Sequence, residues 1–318
     1  MGRLLRIAAV LLAGAWLAGC VAPDIPYPRL EAKYANAASR YASLPGGLRV
    51  HYRDEGPRDA RTIVLVHGFA ASLHAWEPWV ERLKHDYRVV SLDLPGHGLT
   101  RAPDDYAPSS ASNAEIIDTL TRQLGVERFV LAGNSMGGAV AWSYAMAHPG
   151  RLDGLVLVNA AGWPSSADAG GGPAIFKLLA NPVGRLLLRN IDPRPLAARG
   201  LKQAYVDERL VNDPLLDRYV ELARAPGHRA LLTRRGARPA VAPETFARIQ
   251  APTLVMVGLR DEVIPPERSA AFAKVIPGSK LVTYAAGGHV PMEQMPDASA
   301  RDLRAFLTAL PSRNRPAH

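Results

Sequence analysis

Hydrophobic positions in this chain fall into short runs rather than long spans. Apolar, β-branched-rich runs occur at Thr62–Val66, Val89–Leu92, Phe129–Ala132, Leu155–Val158, Leu254–Val257 and Leu281–Tyr284. Near-continuous runs of this length predict strands buried on both faces, as in a parallel sheet covered by helices. Between them, apolar residues recur at helical spacing over Trp76–His85, Ala111–Leu124, Met136–Ala147, Glu267–Ile276 and Asp297–Leu310. That alternation predicts a mostly parallel, doubly wound α/β sheet. Leu48–Arg53, following Gly46-Gly47, predicts an N-terminal hairpin. The rhythm breaks once. Gly162–Gln250 carries no strand-like run but four helix-like stretches, Ala174–Arg189, Pro195–Gln203, Leu215–Arg224 and Ala225–Arg235. A segment of about ninety residues is too long for a loop and predicts an inserted helical cap. The catalytic core is then residues 44–161 and 251–318, and the cap residues 162–250.

The first twenty residues follow a different pattern. Arg3 and Arg6 precede an uncharged run from Ile7 to Gly19, and the only cysteine, Cys20, comes next. A basic start and a short apolar stretch ending in small residues predict a secretory signal over residues 1–19. As a helix the run reaches only about 20 Å, short of a roughly 30 Å hydrocarbon core. Leu17-Ala18-Gly19-Cys20 resembles the bacterial lipoprotein lipobox. The resemblance implies cleavage before Cys20, diacylglyceryl transfer to its thiol and acylation of the new amino group. With Val21 next, it also implies an outer-membrane address in the bacterial envelope. Residues 20–43, with Pro23, Pro26 and Pro28 near their start, read as an extended tether between lipid and folded domain.

The candidate chemistry gathers at the C-terminal ends of three predicted strands, where open α/β sheets place their sites. Gly133-Asn134-Ser135-Met136-Gly137 follows one strand and precedes a helix, the setting of a nucleophile elbow. A serine is a weak nucleophile without a base, and His289, just past the last strand, is the candidate. Asp261 follows Leu254–Val257 and would orient the imidazole, with neighbouring Glu262 as the alternative carboxylate. The backbone N–H of Met136 and that of Phe69, in the loop after Val66, are placed to receive an oxyanion. His67 reads as shaping that loop. His67, Gly68, Trp163 and Val290 are candidate pocket residues, Trp163 having a packing role under the cap as its alternative. The remaining histidines (51, 74, 85, 97, 148, 228 and 318) read as surface residues.

Ile63-Val-Leu-Val-His-Gly-Phe, Asp93-Leu-Pro-Gly-His-Gly, Gly133-Asn-Ser-Met-Gly-Gly, Gly258-Leu-Arg-Asp and Gly287-Gly-His together resemble the α/β-hydrolase superfamily over about residues 44–310. Within it, the serine form is similar to esterases and lipases. The resemblance implies an α/β-hydrolase fold with a helical cap and a Ser-His-Asp triad that needs neither metal nor cofactor. It also implies that Asp93 belongs to a structural turn. Aspartate-nucleophile chemistries of the fold, dehalogenation and epoxide opening, are excluded by Ser135. Ester hydrolysis of a small-molecule or lipid substrate with a hydrophobic acyl group is the expected reaction. Carbon–carbon bond hydrolysis on the same fold, and a non-catalytic envelope-binding lipoprotein, are the alternatives.

Composition adds two constraints. One cysteine in 318 residues excludes an intramolecular disulfide. The net charge of +9 is local: Gly162–Gln250 has fourteen Lys and Arg against eight Asp and Glu. An exported protein without a nucleic-acid-binding motif does not need that charge for nucleic acid. Solvation, anionic lipid and anionic substrate are its three possible uses.

Overall fold

The computed structural model describes residues 22–164, 178–234 and 241–311. The predicted signal, Cys20, the first residues of the stretch Ala174–Arg189 and Arg235 lie outside them.

Eight strands form one sheet: β1 (Ser39–Leu44), β2 (Leu48–Glu55), β3 (Thr62–Val66), β4 (Arg88–Leu92), β5 (Phe129–Asn134), β6 (Leu152–Val158), β7 (Thr253–Gly258) and β8 (Lys280–Tyr284). Their order is β1-β2-β4-β3-β5-β6-β7-β8. The β1–β2 hairpin turns at Gly46-Gly47, β2 pairs antiparallel with β4, and the other pairings are parallel. The expected mostly parallel, doubly wound sheet is therefore present.

Side chains alternate across each strand, and β3 shows why its run has no polar gap. Val64 and Val66 enter one apolar cluster, with Ile117 and Leu120 of α3 (Ser110–Gln123), Val140 and Tyr144 of α4 (Met136–Ala147) and Phe272 of α9 (Pro266–Val275). Ile63 and Leu65 enter the other, with Trp79 and Leu83 of α2 (Glu77–Leu83) and Leu303 and Phe306 of α11 (Pro296–Ala309). Both faces are covered, so a polar residue on either would be stranded in apolar surroundings.

Between β6 and β7 lies the helical insertion: α5 (Pro182–Leu188), α6 (Arg194–Ala204), α7 (Asp213–Ala223) and α8 (His228–Thr233). The helix expected to run to Arg189 is broken at Asn181, whose side chain accepts from Val183 N–H and caps α5. Asn212 caps α7 in the same way.

Within residues 22–43, the described part of the expected tether 20–43, the chain is not extended throughout. Tyr27–Tyr34 is a helix, α1, and β1 starts at Ser39. Pro26 stands at the N-cap and Pro28 in the first turn of α1, where a missing N–H costs no hydrogen bond. Ile25, Leu30 and Tyr34 bury against Leu99, Leu222 and Ala225. Polar contacts bind the same strap to the cap: Ile25 N–H to Arg224 O (2.7 Å), Arg229 to Asp24 (2.7 Å) and Lys33 to Glu221 (2.8 Å).

Candidate active site

Strand β5 ends at Asn134, and Ser135 turns the chain into α4. Its backbone is held at φ 53° and ψ −116°, a left-handed conformation that costs a non-glycine residue about 1–3 kcal/mol. The packing around it demands small neighbours. A Cβ on Gly133 would sit 2.1 Å from Gly137 O, and one on Gly137 would sit 2.1 Å from Val66 O. The turn is pinned by Ser135 N–H donating to Val158 O (3.1 Å). Met136 N–H is the first of α4, among the helix donors that have no intrahelical acceptor. The positive end of the helix dipole lies there too. The loop after β3 passes over the serine: a Cβ on Gly68 would lie 3.2 Å from that of Ser135. Phe69 follows in that loop, and Ala70 has φ 58°.

His289 and Asp261 meet directly. The imidazole Nδ1 lies 2.7 Å from Asp261 Oδ2, while Asp261 Oδ1 accepts from Val263 N–H (2.7 Å) and Ile264 N–H (3.0 Å). Both side chains are buried. Glu262, the alternative carboxylate, is exposed and does not meet His289. The cap helps to hold the histidine: His289 N–H donates to Ala204 O, at the end of α6 (2.8 Å).

Two asparagines overlooked in the sequence join these strand ends. Asn134 donates through Nδ2 to Val158 O (3.1 Å) and to His289 O (3.0 Å). Asn159, at φ 42°, donates to Gly288 O (2.8 Å) and accepts from Gly258 N–H (2.9 Å). Asn159 therefore ties the end of β6 to the loops carrying Asp261 and His289. The signal for it was a lone polar residue closing the apolar run Leu155–Val158.

Two of the pocket candidates sit in packed surroundings. His67 is fully buried and locked at both nitrogens, Nδ1–H donating to Gly68 O (2.7 Å) and Nε2 accepting from Leu94 N–H (3.0 Å). It fixes the loop over Ser135 and presents no free edge to a substrate. Trp163 stacks on Phe246 (5.5 Å between centroids, 21°) and meets Phe272 edge-on, packing beneath the cap. Val290 is buried in the apolar cluster that also contains Leu201 and Tyr205 of the cap.

Four histidines read as surface residues are buried instead: His51, His74, His97 and His228. Asp93 organises the first of them, accepting from His51 Nδ1 (2.7 Å), Leu73 N–H (2.8 Å) and Leu99 N–H (2.9 Å). Burial alone would raise its pKa, but the His51 hydrogen bond and nearby imidazoles hold this carboxyl well below the usual range. Asp93 is thus the keystone of a structural turn. Burial pushes His67, His97 and His228 below their ordinary pKa. Burial and the Arg53 charge push His74 down to about 4.

A family model described as "Alpha/beta hydrolase family" matches residues 63–302. Among solved structures, an esterase from Rhodococcus sp. ECU1013 superposes with TM-score 0.73 at 26% identity, covering 86% of this chain and 100% of its own. A bacterial membrane phospholipase A superposes with TM-score 0.72 at 27% identity, covering 99% and 100%. A 2-hydroxy-6-oxononadienedioate/2-hydroxy-6-oxononatrienedioate hydrolase from Paraburkholderia phymatum is 29% identical over 268 residues, 80% of this chain and 90% of that protein.

Proposed function

The chain belongs to the alpha/beta hydrolase family, and from that premise we propose that it is a serine hydrolase of carboxylic esters with hydrophobic acyl groups. The observation that carries the reading is the left-handed Ser135 turn, joined through Asn134 to the buried His289–Asp261 pair. Among the described residues the Ser135 hydroxyl has no hydrogen-bond partner. Its link to His289 is the one that substrate binding closes, since catalytic hydrogen bonds tighten in the substrate complex.

Ser135 Oγ attacks the ester carbonyl as its proton passes to His289 Nε2. Asp261 holds Nδ1–H and stabilises the imidazolium. The carbonyl oxygen, now an anion, receives the N–H groups of Met136 and Phe69, each worth about 10²–10³-fold in rate. His289 returns the proton to the departing alcohol, leaving an acyl-enzyme. Water, deprotonated by the same imidazole, then releases the acid. The esterase and phospholipase neighbours support the ester reading. Carbon–carbon hydrolysis is the second reading, favoured by the Paraburkholderia relative. It uses the same triad on a dienoate ketone.

The address is part of the proposal. Cys20 carries the lipid of a bacterial lipoprotein and holds the enzyme on the cell envelope, at the outer membrane. The motif Leu17-Ala18-Gly19-Cys20 supports this.

A panel of p-nitrophenyl esters from acetate to palmitate, run beside a dienoate ring-cleavage product, separates the two chemistries. Ester turnover that vanishes in Ser135→Ala is the expected result. Turnover of the dienoate alone would replace the first reading by the second. A fluorophosphonate that leaves Ser135 unlabelled would remove both. Cys20→Ala is expected to release the protein from membranes, and unchanged fractionation would reject the anchor.

A further inference from the structure

Helix α5 is turned the wrong way round for a cap helix. Val183, Leu186 and Leu187 stand at i, i+3 and i+4, the spacing of a single helical face, and a packed helix buries such a stripe. Here the three are 65%, 62% and 44% exposed. The inward side is formed by Gly184, where a Cβ would lie 2.3 Å from Leu178 O.

The stripe is flanked by positive charge. Arg185 donates to Leu179 O (3.1 Å) and Arg189 to Thr233 Oγ1 (3.0 Å). Neither guanidinium forms an ion pair among the described residues. Elsewhere on the cap, Arg194, Lys202, Arg209, Arg218 and Arg229 are each matched to a carboxylate, while Arg199, Arg224, Arg234 and Arg248 form no ion pair among the described residues. Uncompensated charge thus accompanies exposed apolar surface, the pairing found in helices that lie in a membrane interface.

A separate observation says which surface covers it. Ala22 N–H donates to Asn190 O (2.9 Å), and Asn190 Nδ2 donates to Leu186 O (3.0 Å). The chain enters the fold against the C-terminal end of α5. Cys20 is two residues earlier, and two residues span at most about 7 Å. Acyl chains on Cys20 would therefore leave the protein beside the apolar stripe.

We propose that α5 is a membrane-docking element, with Val183, Leu186 and Leu187 in the acyl boundary of an anionic bilayer and Arg185 and Arg189 at its phosphates. The proposal rests on the reading that Cys20 is lipidated. A bilayer satisfies all three observations: it takes the apolar side chains, the guanidinium groups and the anchor on one plane.

The test uses the full chain reconstituted into phosphatidylcholine vesicles with and without phosphatidylglycerol, doped with a diazirine-bearing phosphatidylglycerol. After photolysis, peptides are mapped by mass spectrometry. Lipid adducts are expected on the peptide holding residues 183–189, more in anionic vesicles and fewer at high salt. The triple variant Val183→Ser, Leu186→Ser, Leu187→Ser is expected to lose them by about tenfold or more, and to keep its turnover of a soluble short-chain ester. Adducts absent from 183–189, or unchanged in the triple variant, overturn the proposal. So does a cross-link from this stripe to residues 1–21, to residues 165–177 or to a second copy, since each names a different cover. The mass of the N-terminal peptide reports lipid on Cys20 separately, so loss of the anchor is distinguished from loss of docking.

Discussion

Replacing Asn159 by alanine removes the side chain that joins three strand ends, and the cost can be worked from its contacts. Asn159 is fully buried. Alanine leaves Gly288 O without its donor at 2.8 Å and Gly258 N–H without its acceptor at 2.9 Å. Each orphaned buried group costs about 1–3 kcal/mol. Alanine must also hold φ 42°, where asparagine is tolerated and other residues lose about 1–2 kcal/mol. A loss of about 4 kcal/mol follows, which lowers the melting temperature by about 10 °C in a protein of this size.

The catalytic effect has a different signature. Gly258 lies three residues before Asp261 and Gly288 one before His289, so the pair loses its common brace. A misplacement of about 1 Å costs up to 10²-fold, expected in kcat with KM nearly unchanged, because Asn159 does not touch the acyl group in the proposed mechanism. Asn159→Gly provides the control. It loses the same two hydrogen bonds but accepts the left-handed backbone, so it should be about 1 kcal/mol more stable than the alanine variant with the same fall in kcat. Thermal denaturation followed by far-UV circular dichroism, with steady-state hydrolysis of p-nitrophenyl butyrate, reads both quantities. An alanine variant that melts within a degree of wild type, or whose loss falls entirely on KM, would refute the reasoning.

Asp261→Asn should keep the fold, because its Oδ1 contacts to Val263 and Ile264 N–H survive, and lose about 10³–10⁴-fold in kcat. A loss below tenfold would take Asp261 out of the mechanism. Arg218→Ala leaves Glu293, buried and paired with it at 3.1 Å, without its partner. It should cost about 3 kcal/mol by thermal melt, part of which Arg218→Ala/Glu293→Gln restores; no restoration would reject the pairing. The buried histidines set an acid limit. His67, His74, His97 and His228 have folded pKa values below the unfolded 6.5, His74 at about 4. The unfolded chain therefore binds more protons between those values, and stability falls as pH drops below about 6.5. Melting temperatures at pH 5 should lie below those at pH 7.5, and an equal or higher value would contradict the buried, neutral imidazoles.

What could be read from the sequence was what is encoded within a few residues. Gly133 answers a clash with Gly137 O inside its own turn, and the strands announce themselves because both faces are covered. The histidines could not be placed this way. His51 is buried by Asp93, forty-two residues on, and His228 by contacts to Leu222 O and Thr100 O. Asp93 and Thr100 lie far from these histidines along the chain, and no neighbouring residue specifies them. Trp163 was legible as apolar but not as stacked, since Phe246 and Phe272 both lie more than eighty residues further along the chain. The prolines of the strap misled for a local reason: Pro23, Pro26 and Pro28 suit an extended chain and a helix start equally. Only the burial of Leu30 and Tyr34 decides between them.

The strap also changes what the cap's charge means. Of its basic residues, Arg229 is neutralised by Asp24, while Lys33 of the strap neutralises Glu221 of the cap. Tyr34 donates to the same Glu221 (2.8 Å), and Arg224 donates to Pro23 O (2.8 Å). These contacts bind α7 and the start of α8 to a segment that is continuous with β1 of the core. Lifting that side of the cap would strip Ile25, Leu30 and Tyr34 from their apolar partners, at about 1.5–3 kcal/mol for each large side chain exposed. The α7–α8 side is therefore fixed to the sheet. The uncompensated arginines beside exposed apolar surface lie on α5, where the chain from Cys20 arrives. A cap tied down along one side and charged along the other is better built to rest against a lipid surface than to swing as a free lid.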